Sequence, residues 1–314
     1  MDTLNGQIPN MLIRGTCLPE AWEKAVLAVW DNGIDVKTDY DKPGDPASRD
    51  ATVMIVVEDP FNEPRIHKNF PGGPEELEAY RQEVVDGIHD HWIKPEEDKW
   101  TYTYHQRLFA YQPAVIERMG AEDKVLGKGI KGVRPLRMPF LNMTEIPSIN
   151  QINYIVDDLC RQLYTRRAQA VTWMPSMDPV TYDPPCLQRV WCRILKDEKG
   201  GLVLNMNTHW RSRDGVKAWF MNAFALTDLQ KSIASRVSEK IGQNVRLGRY
   251  VDISDSWHIY GSYFRGIGPE LEKMRDGNWQ SRAWRSDDEA FAFMTEEAKE
   301  KLAKDPDHYA KGKG

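Results

Sequence analysis

The stretch Pro184-Pro185-Cys186-Leu187-Gln188 through His258-Ile259-Tyr260 decides how the chain is read. It opens with a cysteine fixed behind two prolines and continues as two β-rich runs, Val190–Leu195 and Leu202–Trp210. Lys196-Asp197-Glu198-Lys199-Gly200-Gly201 joins them, which reads as a hairpin. Arg211-Ser212-Arg213-Asp214 follows, then a long apolar segment, Val216–Ile241, with Asn222 inside it. Being apolar on nearly all sides in its first half, this segment is expected as a central buried helix. Val245–Ile253 reads as a further strand and leads to His258 and Tyr260, whose two-residue spacing puts them on one face of an extended chain.

These residue types suit a nucleotide site. A cysteine is ordinarily a small buried hydrophobe, and nucleophilic use requires a lowered pKa, usually from a nearby cation. Arg211, brought close by the hairpin, is the candidate cation. An amide inside an apolar helix must be satisfied, and its paired donor and acceptor match the edge of a pyrimidine such as uracil. His258 and Tyr260 can hold a sugar hydroxyl. The adjacent Arg166-Arg167 can grip a phosphate with forked donors, although arginines between a helix and a strand are commonly solvated.

Outward from this stretch, 18–31 reads as an amphipathic helix with Pro19 near its start and Gly33 past its end. Thr52–Val57 reads as a buried strand, preceded by a polar loop containing Arg49. After Pro71-Gly72-Gly73-Pro74, a helix is expected from Glu75 to Ile93 with Glu83 inside it. Trp100–Tyr111 alternates and reads as a strand. Residues 120–148 read as a long surface loop, Ile149–Tyr164 as a helix, 168–173 as a strand and Asp288–Leu302 as a helix.

Composition bounds the rest. With 314 residues and a net charge of -5, a broad basic field for nucleic acid is not expected. No run reaches the roughly 18 apolar residues of a membrane span, and Met1–Gly6 lacks signal-peptide character, so a cytoplasmic protein is expected. Four cysteines without metal spacing suggest free thiols in a reducing compartment, with no metal site.

The order Arg-Arg, Trp, Pro-Cys, Arg-Ser-x-Asp, Asn eight residues after that Asp, then His-x-Tyr resembles the thymidylate synthase family, which includes the pyrimidine nucleotide hydroxymethylases. The likeness spans about 45–265 and is specific over 166–260. It implies a single α/β (α+β) domain: a six-stranded mixed sheet, surrounding helices and a buried central helix, dimerising sheet to sheet. Residues 120–148 would be an insertion and 266–314 a divergent tail. It implies one-carbon transfer from 5,10-methylenetetrahydrofolate to C5 of a pyrimidine nucleoside monophosphate. Carried over by position, Cys186 would attack C6. Arg211, Ser212 and Arg49 would bind phosphate, joined by Arg166 and Arg167 from the partner subunit. Asp214 would hold nucleotide and folate, Asn222 the base, and His258 and Tyr260 the 3′-hydroxyl. Glu83 would organise proton transfer and Tyr104 would be the active-site tyrosine.

Departures from the family pattern are Leu187 where His is usual, Trp210 where Gln is usual, a short Glu83–Tyr104 interval that lacks an obvious counterpart of the folate-stacking tryptophan segment, with Trp92 or Trp100 as candidate substitutes, and a polar segment from Asp305 in place of the apolar tail. A wetter cap favours water attack over hydride transfer. The resulting order of expectation is hydroxymethylation of deoxyuridine monophosphate (dUMP), then thymidylate synthesis, then cytidylate hydroxymethylation. A nucleotide- or mRNA-binding homologue without turnover is the non-enzyme alternative.

Overall fold

The computed structural model describes residues 6–310 apart from 39, 95–99, 113–146, 176 and 182. The stretch 120–148 therefore lies outside the described residues except at 147 and 148. A mixed sheet runs β1 (Asn10–Gly15), β3 (Ser48–Val57), β9 (Val245–Ile259), β7 (Leu202–Trp210), β6 (Leu187–Lys196), β5 (Gln169–Val171). Short β2 (Ile34–Val36) pairs with β3, and β8 (Arg213–Asp214) with β9, while β4 (Ile66–His67) and β10 (Ala283–Trp284) form a separate antiparallel pair. The pair β1–β3 and the pair β7–β9 are parallel; β3–β9, β6–β7 and β5–β6 are antiparallel. The six-stranded path and the 187–196/202–210 hairpin match expectation. β1 was not anticipated.

Helices α1 (Leu18–Asn32) and α5 (Ala218–Ile241) cover one face of this sheet, with α2 (Pro74–Val85) packed on α5. As its composition demands, α5 is the central helix. Trp219, Phe220, Ala223, Leu226, Leu229 and Ile233 are all buried, and it stops at Gly242 in the left-handed region (φ 65°). Among the described residues, no helix packs on the other face. One row across it is Leu12, Met54, Ile253, His209, Arg189, Val171, all at least partly exposed.

Two elements differ from expectation. The helix from residue 75 ends at Val85 rather than Ile93, because Gly87 turns the chain with φ 72°, where a Cβ would lie 2.3 Å from the His105 ring. Residues 100–111 form no strand. Tyr104–Phe109 is a helix, α3, since Thr103 caps it by accepting from the Gln106 amide (3.0 Å). The Thr-x-x-Gln spacing is a capping signal that the aromatic alternation masks. Among the described residues the remaining α-helices are α4 (Gln151–Arg161), α6 (Phe264–Met274) and α7 (Glu289–Lys304).

Candidate active site

The thiol is placed by the turn before β6. The Arg211 backbone amide donates to the Cys186 carbonyl (2.9 Å). The Arg211 guanidinium donates from Nε to Pro185 O (3.0 Å) and from Nη2 to Pro184 O (2.5 Å). One side chain thus clasps the whole prolyl turn. On the far side of the turn, the Leu187 amide donates to the Tyr104 hydroxyl (3.3 Å). Burial pushes the Cys186 thiol above its ordinary value; Arg211 and, more weakly, Arg213 pull it down, while Asp183 pushes it up. A thiol activated outright by Arg211 is therefore not what the structure shows. The cation acts in the expected direction, and desolvation outweighs it.

Asn222 is buried on α5, and its amide is oriented from both ends. Its Oδ1 accepts from the Tyr80 hydroxyl (2.6 Å) and its Nδ2 donates to Ala218 O (2.5 Å). Tyr80, on α2, escaped the sequence reading, as did Tyr102. Burial raises the hydroxyl pKa of Tyr80 and Tyr102, and of Tyr104 between them, and the Cys186 thiolate adds to each rise. Three neutral phenols thus gather around the thiol. Tyr80 and Glu83 lie three apart on α2, and that helical spacing was the available signal.

At the β9 end, Asp214, His258 and Asp50 lie side by side on β8, β9 and β3. Burial keeps His258 towards its neutral form against the pull of Asp214 and Asp50. Its Nε2 is buried and has no partner among the described residues, which suits an external hydroxyl. Asp214 Oδ1 accepts from the Val216 and Lys217 amides at the entry to α5, and its Oδ2 accepts from Tyr263 (3.0 Å). Tyr260 follows the end of β9 rather than continuing it, and its ring meets His258 edge-on (4.5 Å).

The arginines divide. Arg213 is buried, ion-paired with Asp252 and stacked over Trp210 (3.3 Å), so the unusual tryptophan is a seat for a cation. Ser212 is half-buried between Arg211 and Arg213. Arg49 is on β3, not in a loop, and binds Asp35 (2.9 Å) and the Gly33 carbonyl (3.2 Å). Arg166 and Arg167 are exposed before β5 and are not brought to the Cys186 site within this chain.

Beside Tyr80 and Glu83 opens a cleft of about 540 Å3, lined also by Trp92, Trp100 and Met221. The indole rings of Trp92 and Trp100 are 5.3 Å apart and tilted at 49°. The segment after α7 closes one side: Asp307 Oδ1 accepts from Trp92 Nε1 (2.7 Å) and lies 3.0 Å from His91 Nε2. No metal-competent cluster of three His, Cys, Asp or Glu occurs among the described residues, and no helix among them is long and apolar enough to cross a membrane. All four cysteines are free.

Proteins named "Putative thymidylate synthase" from Methanococcoides burtonii and Methanosarcina acetivorans are 24% and 26% identical to this chain, over 79% of it and 89% of each relative. A protein of the same name from Methanocaldococcus jannaschii is 26% identical over 80% of this chain and 90% of its own. The fold superposes on the thermostable thymidylate synthase A of Bacillus subtilis with a TM-score of 0.51 at 18% identity, covering 82% and 84% of the two chains. In sequence and in fold the chain is similar to the thymidylate synthases. No protein-family model matches it.

Proposed function

We propose that the protein transfers a one-carbon unit to C5 of a pyrimidine nucleoside monophosphate, with dUMP as substrate and 5-hydroxymethyl-dUMP as product. The observation that carries this reading is the Cys186 turn clasped by Arg211, with Tyr104 behind it. Cys186 adds to C6 of the ring, which makes C5 a carbon nucleophile. Arg211 and Ser212 bind the phosphate, Arg49 joins them by leaving Asp35, Asn222 reads the base in the orientation Tyr80 sets, and His258 Nε2 and Tyr260 take the 3′-hydroxyl. Asp214 holds nucleotide and cofactor, and Glu83 handles the ring-oxygen proton.

The cofactor assigned is 5,10-methylenetetrahydrofolate. The cleft fits it: two indoles form an aromatic wall for a flat heterocycle, directly beside Glu83 and Tyr80. When bound, it supplies the one-carbon unit and, in a methyl-forming enzyme, a hydride. The polar cap from Asp307 supports admission of water and hence the hydroxymethyl product.

The uncovered sheet face, with Leu12 at 58% and Met54 at 40% exposure, supports a sheet-to-sheet homodimer that would carry Arg166 and Arg167 into the partner's site. Mixing inactive Arg167→Ala and Cys186→Ser proteins should then restore activity; separate monomers would remain inactive.

The product assay decides the main reading. Incubation with dUMP and methylenetetrahydrofolate should give a nucleotide heavier by CH2O and no dihydrofolate absorbance. A CH2 gain with dihydrofolate overturns hydroxymethylation in favour of thymidylate synthesis. Turnover of cytidylate in preference to dUMP overturns the uracil assignment. No release of tritium from C5-labelled dUMP, with nucleotide still bound, leaves a binding protein.

A further inference from the structure

His89 stands between the end of α2 and Trp92 and is engaged at both ring nitrogens. Nδ1 is 2.7 Å from Glu83 Oε2, and Nε2 is 2.9 Å from the Pro306 carbonyl oxygen. The ring is buried and stacks on Trp92 at 3.7 Å and 8°, which fixes its plane. A carbonyl oxygen only accepts, so Nε2 carries a proton. Nδ1 and Glu83 are then bonded only when a second proton lies between them. Either the Glu83 carboxyl donates to a neutral imidazole, or an imidazolium donates to the Glu83 carboxylate. The remaining tautomer, with the proton on Nδ1 alone, would set the Nε2 lone pair against the Pro306 oxygen. The segment that supplies this carbonyl is held by the adjacent Asp307 on Trp92 and His91.

We propose that His89 is a positioning residue that couples docking of residues 305–310 to the loading of a transferable proton on Glu83. This rests on the reading of Glu83 as the carboxyl that serves the pyrimidine. As the Cys186 sulfur bonds to C6, the C5–C6 electron pair shifts onto the ring carbonyl oxygen. Glu83 gives its proton to that oxygen and recovers it when the carbonyl re-forms. His89 keeps its Nε2 proton throughout, and its bond from Nδ1 to the Glu83 carboxyl re-forms once Glu83 has recovered its proton. With the segment undocked, nothing selects the Nε2 proton, and His89 can donate from Nδ1 to a Glu83 carboxylate that has no proton to give.

Three variants and one spectrum test this in the full chain. His89→Phe preserves the stack on Trp92 and removes both hydrogen bonds. Its kcat for tritium release from C5-labelled dUMP should fall roughly 10²-fold, with KM for dUMP within about twofold. His89→Gln restores an acceptor towards Glu83 and a donor towards Pro306, and should recover most of that loss. A glutamine variant as slow as the phenylalanine variant overturns the proposal. Asp307→Ala should slow the wild type about tenfold and His89→Phe not at all, whereas independent multiplied losses overturn the coupling. In a ¹⁵N spectrum of histidine-labelled protein, the signals lost in His89→Phe should show a protonated Nε2. An unprotonated Nε2 overturns the proposal whether or not the protein turns over. A protonated Nε2 in a chain that releases no tritium upholds the proton loading and overturns only the assigned reaction.

Discussion

The half of the site that holds the thiol and the half that borders the cleft are built in opposite ways. Cys186, Arg211, Asp214 and His258 sit on or immediately beside long strands of one sheet, fixed by backbone pairing. Glu83, Trp92, Trp100 and Asp307 come from a helix end, a short helical turn, a loop and the segment after α7, joined by side-chain contacts. A sheet fixes its residues by register, so their order in the chain survives as a motif. Side-chain latches permit many solutions, and the cleft uses a local one. In the proposed reaction, covalent attack would thus be held on rigid elements, while control of protons and water would rest on the side-chain latches.

The strongest way to break that division is at the thiol. Cys186→Ser should lower tritium release on the order of 10⁴-fold or more while nucleotide binding persists. Retained turnover would move the nucleophile elsewhere. The same site has a pH signature. Since burial raises the thiol pKa, alkylation of Cys186 by iodoacetamide should reach half its maximal rate above the pH of an ordinary thiol. Arg211→Ala removes the main charge opposing that rise, so the midpoint should climb further. A midpoint that falls would show that Arg211 serves only to hold the turn.

Next in size is the brace that ties α3, which carries Tyr104, to residues 172–178. Arg107, on α3 three residues after Tyr104, is buried and paired with Asp178 (2.8 Å), and it also donates to the Thr172 carbonyl (2.9 Å). Arg107→Ala leaves a buried carboxylate unpaired and should cost about 3–5 kcal/mol in urea unfolding. A loss below about 1 kcal/mol, the range of a surface pair, would show the brace to be dispensable.

The sheet, the hairpin and the central helix were legible because their patterns are long: nine or more residues of strand period, or 24 of continuous helix. Residues 100–111 misled because a Thr-Tyr-Thr-Tyr alternation resembles a strand, whereas the cap at Thr103 decides the matter in one turn. Tyr80, Tyr102 and His89 belong to no motif and enter the site only through packing. The activation of Cys186 was misjudged for a related reason. Sequence shows which charges lie nearby, but desolvation depends on the three-dimensional surroundings.

Asn222 measures how far the sheet half dictates substrate choice. Its Nδ2 donates to Ala218 O, so an aspartate there must either hold a proton on the oxygen facing that carbonyl or move away from it. Asn222→Asp should lower dUMP turnover and shift the ratio of kcat/KM towards cytosine nucleotides by about 1–3 kcal/mol, or roughly 5–150-fold. An unchanged ratio would assign base choice to Tyr80 or to the cleft.

The smallest effect concerns Arg49, at the margin between the two halves. It lies opposite Ile259, one register step from the Asp50–His258 pair, yet its guanidinium is held by Asp35, which is 63% exposed. An ion pair open to water on one side is worth about 0–1 kcal/mol, so exchange of this partner for a dianionic phosphate is easy. Asp35→Ala should therefore release Arg49 and lower the KM for dUMP by no more than about fivefold, the equivalent of ~1 kcal/mol. Arg49→Ala should raise it, by more than the gain from Asp35→Ala, because the phosphate contact is lost altogether. The sign of the pair is what matters. Opposite shifts make Arg49 a phosphate ligand held in reserve by Asp35, and the phosphate site then includes a residue that has to change partners. Two unchanged KM values make Arg49 a tie between β2 and β3, and within this chain the phosphate then rests on Arg211 and Ser212.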